Sequence, residues 1–252
     1  MDHPTDLTPV AQDYLKVVWA AQEWSDEKVT TKLLAERIGV GASTVSETVR
    51  RLSAQGLLDH APYGAITLTE RGRSLALAMV RRHRLLETYL VSELGYGWDE
   101  VHDEAEVLEH AVSDLLVERI DARLGHPTRD PHGDPIPGAD GTVVRPPAVP
   151  LADLVVGDRG TVVRISDADP DVLRYLAEIG VGLDTGVEVR ERREYAGILS
   201  VVWSPPATAD GGGPAAGTGS GERDAPGPTP PAQLGLRAAD HVWVVRAEPV
   251  PA

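Results

Sequence analysis

The chain changes its hydrophobic period near residue 150. Up to about residue 124, apolar residues recur at the 3.6-residue spacing of helices; from Leu151 they alternate in short runs, as strands do. A chain with two such regimes is an α+β protein of separate domains, and 252 residues suffice for two or three of them. Between the regimes, residues 125–150 are rich in Pro and Gly and read as a linker. Strands are expected at 160–164, 186–190, 198–202 and 241–245, with a small helix at 171–178, a set that suits a small SH3-like β-barrel. Residues 205–231 interrupt it almost entirely with Gly, Pro, Ala, Ser and Thr. So little apolar surface cannot offset the entropy of ordering, and a disordered insertion is expected there.

Charge separates one module from the rest. The formal net charge is −15, yet residues 28–84 hold ten Lys and Arg against four Asp and Glu, a net of +6. A basic module in an acidic chain is the footprint of phosphate binding. Its pattern is readable. Thr8-Pro9 opens a helix carrying Val10, Tyr14, Val17, Val18 and Ala21 on one face. Residues 31–38 make a short helix ended by Gly39. The spacing Thr44-Val-Ser-Glu47 is that of a capping box, opening a third helix that buries Val45, Val49 and Leu52 and ends at Gly56. Two short helices around a glycine-bearing turn make a helix-turn-helix, with Ser43, Thr44, Ser46, Glu47 and Arg50 aimed at bases and phosphates. Residues 57–58 and 65–68 then flank Pro62-Tyr63-Gly64 as a hairpin, a wing that adds Tyr63 to the DNA-binding candidates.

The helical part continues from Thr69 to about Leu94, breaks at Gly95-Tyr-Gly97, and resumes from Trp98 to about Val117, with a short helix at 118–124. On the second of these helices His102, Glu106, Glu109 and His110 fall within an arc of roughly 100°. Ala105, Leu108, Ala111, Val112 and Leu115 cover a neighbouring arc suited to a core. An acidic helix face is usually just solvated. Here His83 and Glu87 repeat the arrangement at i,i+4 on the preceding helix, and two such faces read as a divalent metal site of oxygen-rich character. Asp130 and His132, in Arg129-Asp-Pro-His-Gly-Asp-Pro135, are weaker ligand candidates because turn chemistry alone explains that segment.

Absences narrow the class. With no cysteine there are neither disulfides nor thiolate ligands. The first ten residues do not look like a signal peptide, and no apolar run is long enough to span a bilayer, so a cytoplasmic protein without membrane attachment is expected.

In this order, the basic winged helix, RRHRLLE (81–87), HDEAEVLEHAVSD (102–114), DPHGDPIPG (130–138) and a C-terminal SH3-like domain resemble the diphtheria-toxin-repressor family of metal-activated transcriptional repressors. The resemblance covers residues 8–150 well and 151–247 more loosely. It implies three domains: a winged helix at 1–73, a helical metal-binding and dimerisation domain with its linker at 74–150, and an SH3-like domain at 151–252. It places ligands at Asp13, His83, Glu87, His102, Glu106, Glu109 and His110. Iron-type members carry a thioether and a thiol where Asp13 and Glu106 stand; two carboxylates resemble the manganese-type members and suit Mn²⁺ as hard ligands do. A further acidic ligand of some manganese-type members falls on Lys16, which cannot bind a metal. The implied function is a homodimeric repressor of manganese uptake genes that binds double-stranded operator DNA when Mn²⁺ is plentiful, with Fe²⁺-dependent control of iron acquisition as the alternative. A zinc hydrolase is disfavoured, because Glu at 106 breaks the inverted zinc motif. A di-metal oxidase would need four long helices.

Overall fold

The computed structural model describes residues 4–61, 64–206 and 231–247. They fall into two compact units, Met1–Pro131 with Pro135–Val144, and His132–Asp134 with Arg145–Ala252. Among the described residues no helix is long and apolar enough to cross a membrane.

The first unit opens with α1 (Pro9–Glu23), whose first turn is capped by the Thr8 hydroxyl accepting from the Ala11 N–H. Its buried apolar face centres on Tyr14, Leu15, Val18 and Trp19, whereas Val10, expected in the core, is half exposed. Helix α2 (Thr31–Ile38) is capped by Thr30 and stops where Gly39 turns left-handed at φ 74°. Helix α3 (Ala42–Ala54) starts two residues before the expected capping box, with Gly41 at the cap position and no side-chain cap bond. The tight turn between Gly39 and Gly41 delivers the chain to Ala42 already aligned, so Thr44 and Glu47 lie inside the helix. The wing follows as β1 (Leu58–His60) antiparallel to β2 (Ile66–Leu68).

The long helix α4 (Glu70–Leu94) is capped by Thr69 and ended by Gly95. The next helix is shorter than its sequence suggested. It splits into α5 (Val101–Glu109) and α6 (Asp114–Arg123), because Ser113 accepts from the Leu116 N–H and starts a new helix. The break turns Ala111 and Leu115 outward, while Val101 and Ala105 remain buried. One core joins α1, α2, α3 and β2 through Tyr14, Leu15, Leu34, Val45, Leu52 and Ile66. A second joins α4, α5 and α6 through Leu85, Leu86, Leu90, Val101, Ala105 and Ile120.

Arg84 of α4 locks the C-terminal end of α1. It donates to both oxygens of Glu23 at 2.9 and 2.6 Å and lies 5.3 Å from the centre of the Trp19 ring. It also donates to the Pro135 carbonyl at 2.7 Å. The segment expected as a linker is anchored: Arg81 takes the Pro137 carbonyl in the first unit, and in the second Asp134 accepts from Arg164 while the His132 carbonyl accepts from the Ile165 N–H.

The second unit contains β3 (Val149–Pro150), β4 (Arg159–Ile165), α7 (Pro170–Glu178), β5 (Gly186–Arg193), β6 (Ile198–Ser204), β7 (Ala232–Gly235), α8 (Leu236–Ala239) and β8 (Val242–Arg246). The strands form one antiparallel sheet in the order β3-β8-β4-β5-β6-β7, left open at β3 and β7, in keeping with an SH3-like architecture. Val187, Val189, Leu199, Val201, Val242 and Val244 alternate inward to form its core. Three of the expected strands appear with longer ends and the last is shifted by one residue; β3 and β7 are additional, too short for alternation to reveal. Residues 207–230, most of the expected insertion, lie outside the described residues.

Gly72 in the first turn of α4 explains how that helix meets the wing. A Cβ there would collide with the Leu57 carbonyl oxygen, and its N–H binds the Thr69 hydroxyl that in turn donates to the Gly56 carbonyl. Replacing Gly72 with Ala should cost about 1–3 kcal/mol through overpacking, read as a lowered urea midpoint with an unchanged slope.

Candidate metal centre

The ligand candidates come from three helices of the first unit: Asp13 from α1, His83 and Glu87 from α4, and His102, Glu106, Glu109 and His110 from α5 and its C-cap. Two groups bring their ligand atoms within 4.8 Å of one another: Asp13, Glu106, Glu109 and His110; and His83, His102 and Glu106. Glu106 belongs to both. Glu87 closes on the second group, 2.9 Å from His83 Nε2 and 3.3 Å from His102 Nδ1.

Residue types and hydrogen bonding fit a divalent cation in the first group. Gln12 donates its amide to the Pro4 and Leu7 carbonyls at 2.7 and 3.2 Å, which fixes its flip and turns Oε1 toward His110 Nδ1 at 2.7 Å. His110 therefore donates from Nδ1, and its Nε2 faces Asp13 Oδ1, 3.0 Å away. That buried oxygen has no other hydrogen-bond partner. A carboxylate oxygen and an imidazole nitrogen facing each other, with a partner fixing the far side of the imidazole, is the arrangement a pair of metal ligands needs.

Electrostatics show how the cluster holds together. Burial raises the Asp13 carboxyl above its usual range against the pull of His110 and Lys16. Lys16 Nζ lies 2.5 Å from Glu106 and 2.7 Å from Glu109. Burial works against its charge, but the two carboxylates outweigh it and hold the ammonium above the ordinary lysine value. His83 is buried too, and burial again opposes charge; Glu87 and Glu109, one at each ring nitrogen, raise it nonetheless. Glu109 is held below the usual carboxylate range: burial would lift it, but His83 and Lys16 prevail.

The other candidates are placed differently. Asp130 is buried 3.4 Å from the Arg84 guanidinium and joins neither group. His132 is buried in the second unit. On α3, Ser43, Thr44, Ser46, Glu47 and Arg50 are exposed on the face opposite buried Val45, Val49 and Leu52. Tyr63 lies outside the described residues. Two residues at the centre were not singled out as contributors, Gln12 as an orienting acceptor and Lys16 as a cation; both share the helical face of Asp13, which was the available signal. Gln12→Leu should weaken metal binding about 10–100-fold by freeing the His110 ring, as measured by competition against a chelating dye.

Comparison with known proteins agrees with this layout. The iron dependent repressor N-terminal DNA binding domain matches residues 6–66, the iron dependent repressor metal binding and dimerisation domain residues 69–138, and the FeoA domain residues 149–203. The iron-dependent repressor IdeR of Mycobacterium tuberculosis is 35% identical over 190 residues, covering 75% of this chain and 74% of the relative. The diphtheria toxin repressor of Corynebacterium diphtheriae is 36% identical over 135 residues, covering 54% and 59%. A solved manganese-dependent transcriptional repressor in complex with manganese is 60% identical with a TM-score of 0.81, covering 94% of this chain and 100% of that one. The manganese regulator SloR is 29% identical with a TM-score of 0.70, covering 96% and 100%. The N-terminal domain is a DNA-binding winged helix, a helical dimerisation domain follows it, and an SH3-like FeoA domain lies at the C-terminal end. The family is one of DNA-binding repressors rather than enzymes. The chain belongs to the diphtheria toxin repressor family of metal-dependent transcriptional repressors.

Proposed function

We propose that this repressor is activated by Mn²⁺ and, as a homodimer on operator DNA, controls manganese uptake. The observation that carries the metal assignment is the donor set: carboxylate from Asp13, Glu106 and Glu109, imidazole from His110, and no sulfur. Mn²⁺ is lowest in the affinity order of the first-row divalent ions, so a site favours it through hard ligands. The 60% identity to a manganese-dependent repressor supports the same reading. The 35% identity to an iron-dependent one keeps Fe²⁺ as the second reading.

The geometry supports control of DNA binding by position. Asp13 sits on α1, which shares a core with the DNA-reading helix α3; Glu106, Glu109 and His110 sit on α5 and its end, packed against α4. A divalent ion supplies the charge that lets these three carboxylates meet across the seam. Asp13 then fixes α1 against α5, and through Tyr14, Leu15 and Val18 the pose of α1 sets that of α3. Ser43, Thr44, Ser46, Glu47 and Arg50, with Tyr63 of the wing, are the proposed DNA contacts. His83, Glu87 and His102 hold a further ion beside Glu106, and Asp130 and His132 remain accessory candidates. Leu94, Val107 and Leu115 are more than half exposed on the helical domain, an apolar surface suited to a second copy.

Glu106→Ala and His110→Ala should each abolish Mn²⁺-dependent operator binding in a gel-shift titration while leaving the far-UV circular dichroism intact. Full-strength DNA binding by metal-free Glu106→Ala protein would refute the mechanism. Replacing Asp13 by Met and Glu106 by Cys should move activation from Mn²⁺ toward Fe²⁺ or Co²⁺ in the same assay. A wild type that answers Fe²⁺ at free concentrations well below those of Mn²⁺ would assign the protein to iron homeostasis instead.

A further inference from the structure

Lys16 is buried in the middle of the ligand set. Its ammonium lies 2.5 Å from Glu106 Oε1 and 2.7 Å from Glu109 Oε1, with the side chain about nine-tenths covered. An ammonium donates three hydrogen bonds and accepts none, so it is buried only where oxygens are placed to receive it. The receiving oxygens are one turn apart on α5, and the lysine reaches them from α1. Asp13, three residues before Lys16, meets His110 on the same seam. The two α1 side chains thus face two different corners of one carboxylate cluster.

We infer that Lys16 is a built-in cation: its ammonium fills the place between Glu106 and Glu109 that a second divalent ion would otherwise take, limits the Asp13–His110 corner to a single ion, and holds α1 against α5 before metal arrives. The inference rests on the metal reading above. A positive charge already seated between Glu106 Oε1 and Glu109 Oε1 repels a second ion from that place and leaves the first the side that faces Asp13 and His110. On that side Asp13 Oδ1 and His110 Nε2 face each other. The lysine also lowers the net charge of the pocket, so the corner binds its ion less tightly than three bare carboxylates would.

The test compares the full-length wild type with Lys16→Gln, which keeps a polar side chain without charge, and Lys16→Arg, which keeps the charge. Bound Mn²⁺ is counted by inductively coupled plasma mass spectrometry after equilibrium dialysis. Low-temperature electron paramagnetic resonance reports whether two ions are coupled, and scanning calorimetry gives the melting temperature without metal. Lys16→Gln should bind one more Mn²⁺ per protomer, with spin coupling beyond that of the wild type, and its metal-free form should melt on the order of 5 °C lower. Lys16→Arg should keep the wild-type count. An unchanged count and a wild-type resonance signal in Lys16→Gln would overturn the inference while leaving the metal site standing. A wild type that binds no Mn²⁺ sensitive to Asp13→Ala would remove the site itself, and the inference with it.

Discussion

Mutual repulsion of carboxylates on one seam governs the helical half of this protein. Asp13, Glu87, Glu106 and Glu109 converge where α1, α4 and α5 meet, and anionic groups so close cannot share a buried space without cations between them. The chain supplies one of its own, Lys16, seated against Glu106 and Glu109. In the proposed function a divalent ion supplies the rest. Folding of the seam and loading of the site are thereby parts of one equilibrium, as expected wherever a metal's ligands come from separate elements.

Local spacing made much of this legible beforehand. The positions His83 and Glu87, and His102 through His110, are set by helix period alone, so their convergence could be read from the sequence. Caps at Thr8 and Thr69, and glycines at 39 and 95, announced the helix ends for the same reason. What escaped depended on tertiary partners or on competing local signals. The end of α5 at Glu109 was hidden because the ligand face continues past it in sequence, while Ser113 quietly offers a new cap. The Gly39–Gly41 turn overrode a capping-box spacing that sits inside α3. The anchoring of residues 130–137 depends on Arg81 and Arg84, some fifty residues earlier, which no local pattern connects to a proline-rich stretch.

The candidate metal ligands were easier to single out than the residues that position them. A histidine spaced from a glutamate on one face advertises coordination, but an orienting amide such as Gln12 has no spacing rule; its role follows from where Pro4 and Leu7 place their carbonyls. Lys16 was equally opaque. By residue type it removes a ligand, and only the fold turns that loss into a charge held against Glu106 and Glu109.

The Arg84 clamp has a mechanical consequence. It pins α1 at Glu23 and Trp19, whereas Asp13 meets α5 ten residues earlier, about 15 Å along the axis. A rod held at one end can still swing, and each hold added near Asp13, from Lys16 or from a metal, narrows that swing. A shift of about 1 Å at the Asp13 end turns such a rod by roughly 4°. Because α1 and α3 share a packed core, the proposed mechanism carries such a swing to the recognition helix. In that mechanism α1 is a lever whose fulcrum is an arginine buried among carboxylate, carbonyl and indole, and a small adjustment at the candidate ligands becomes a change in how two recognition helices are spaced along DNA.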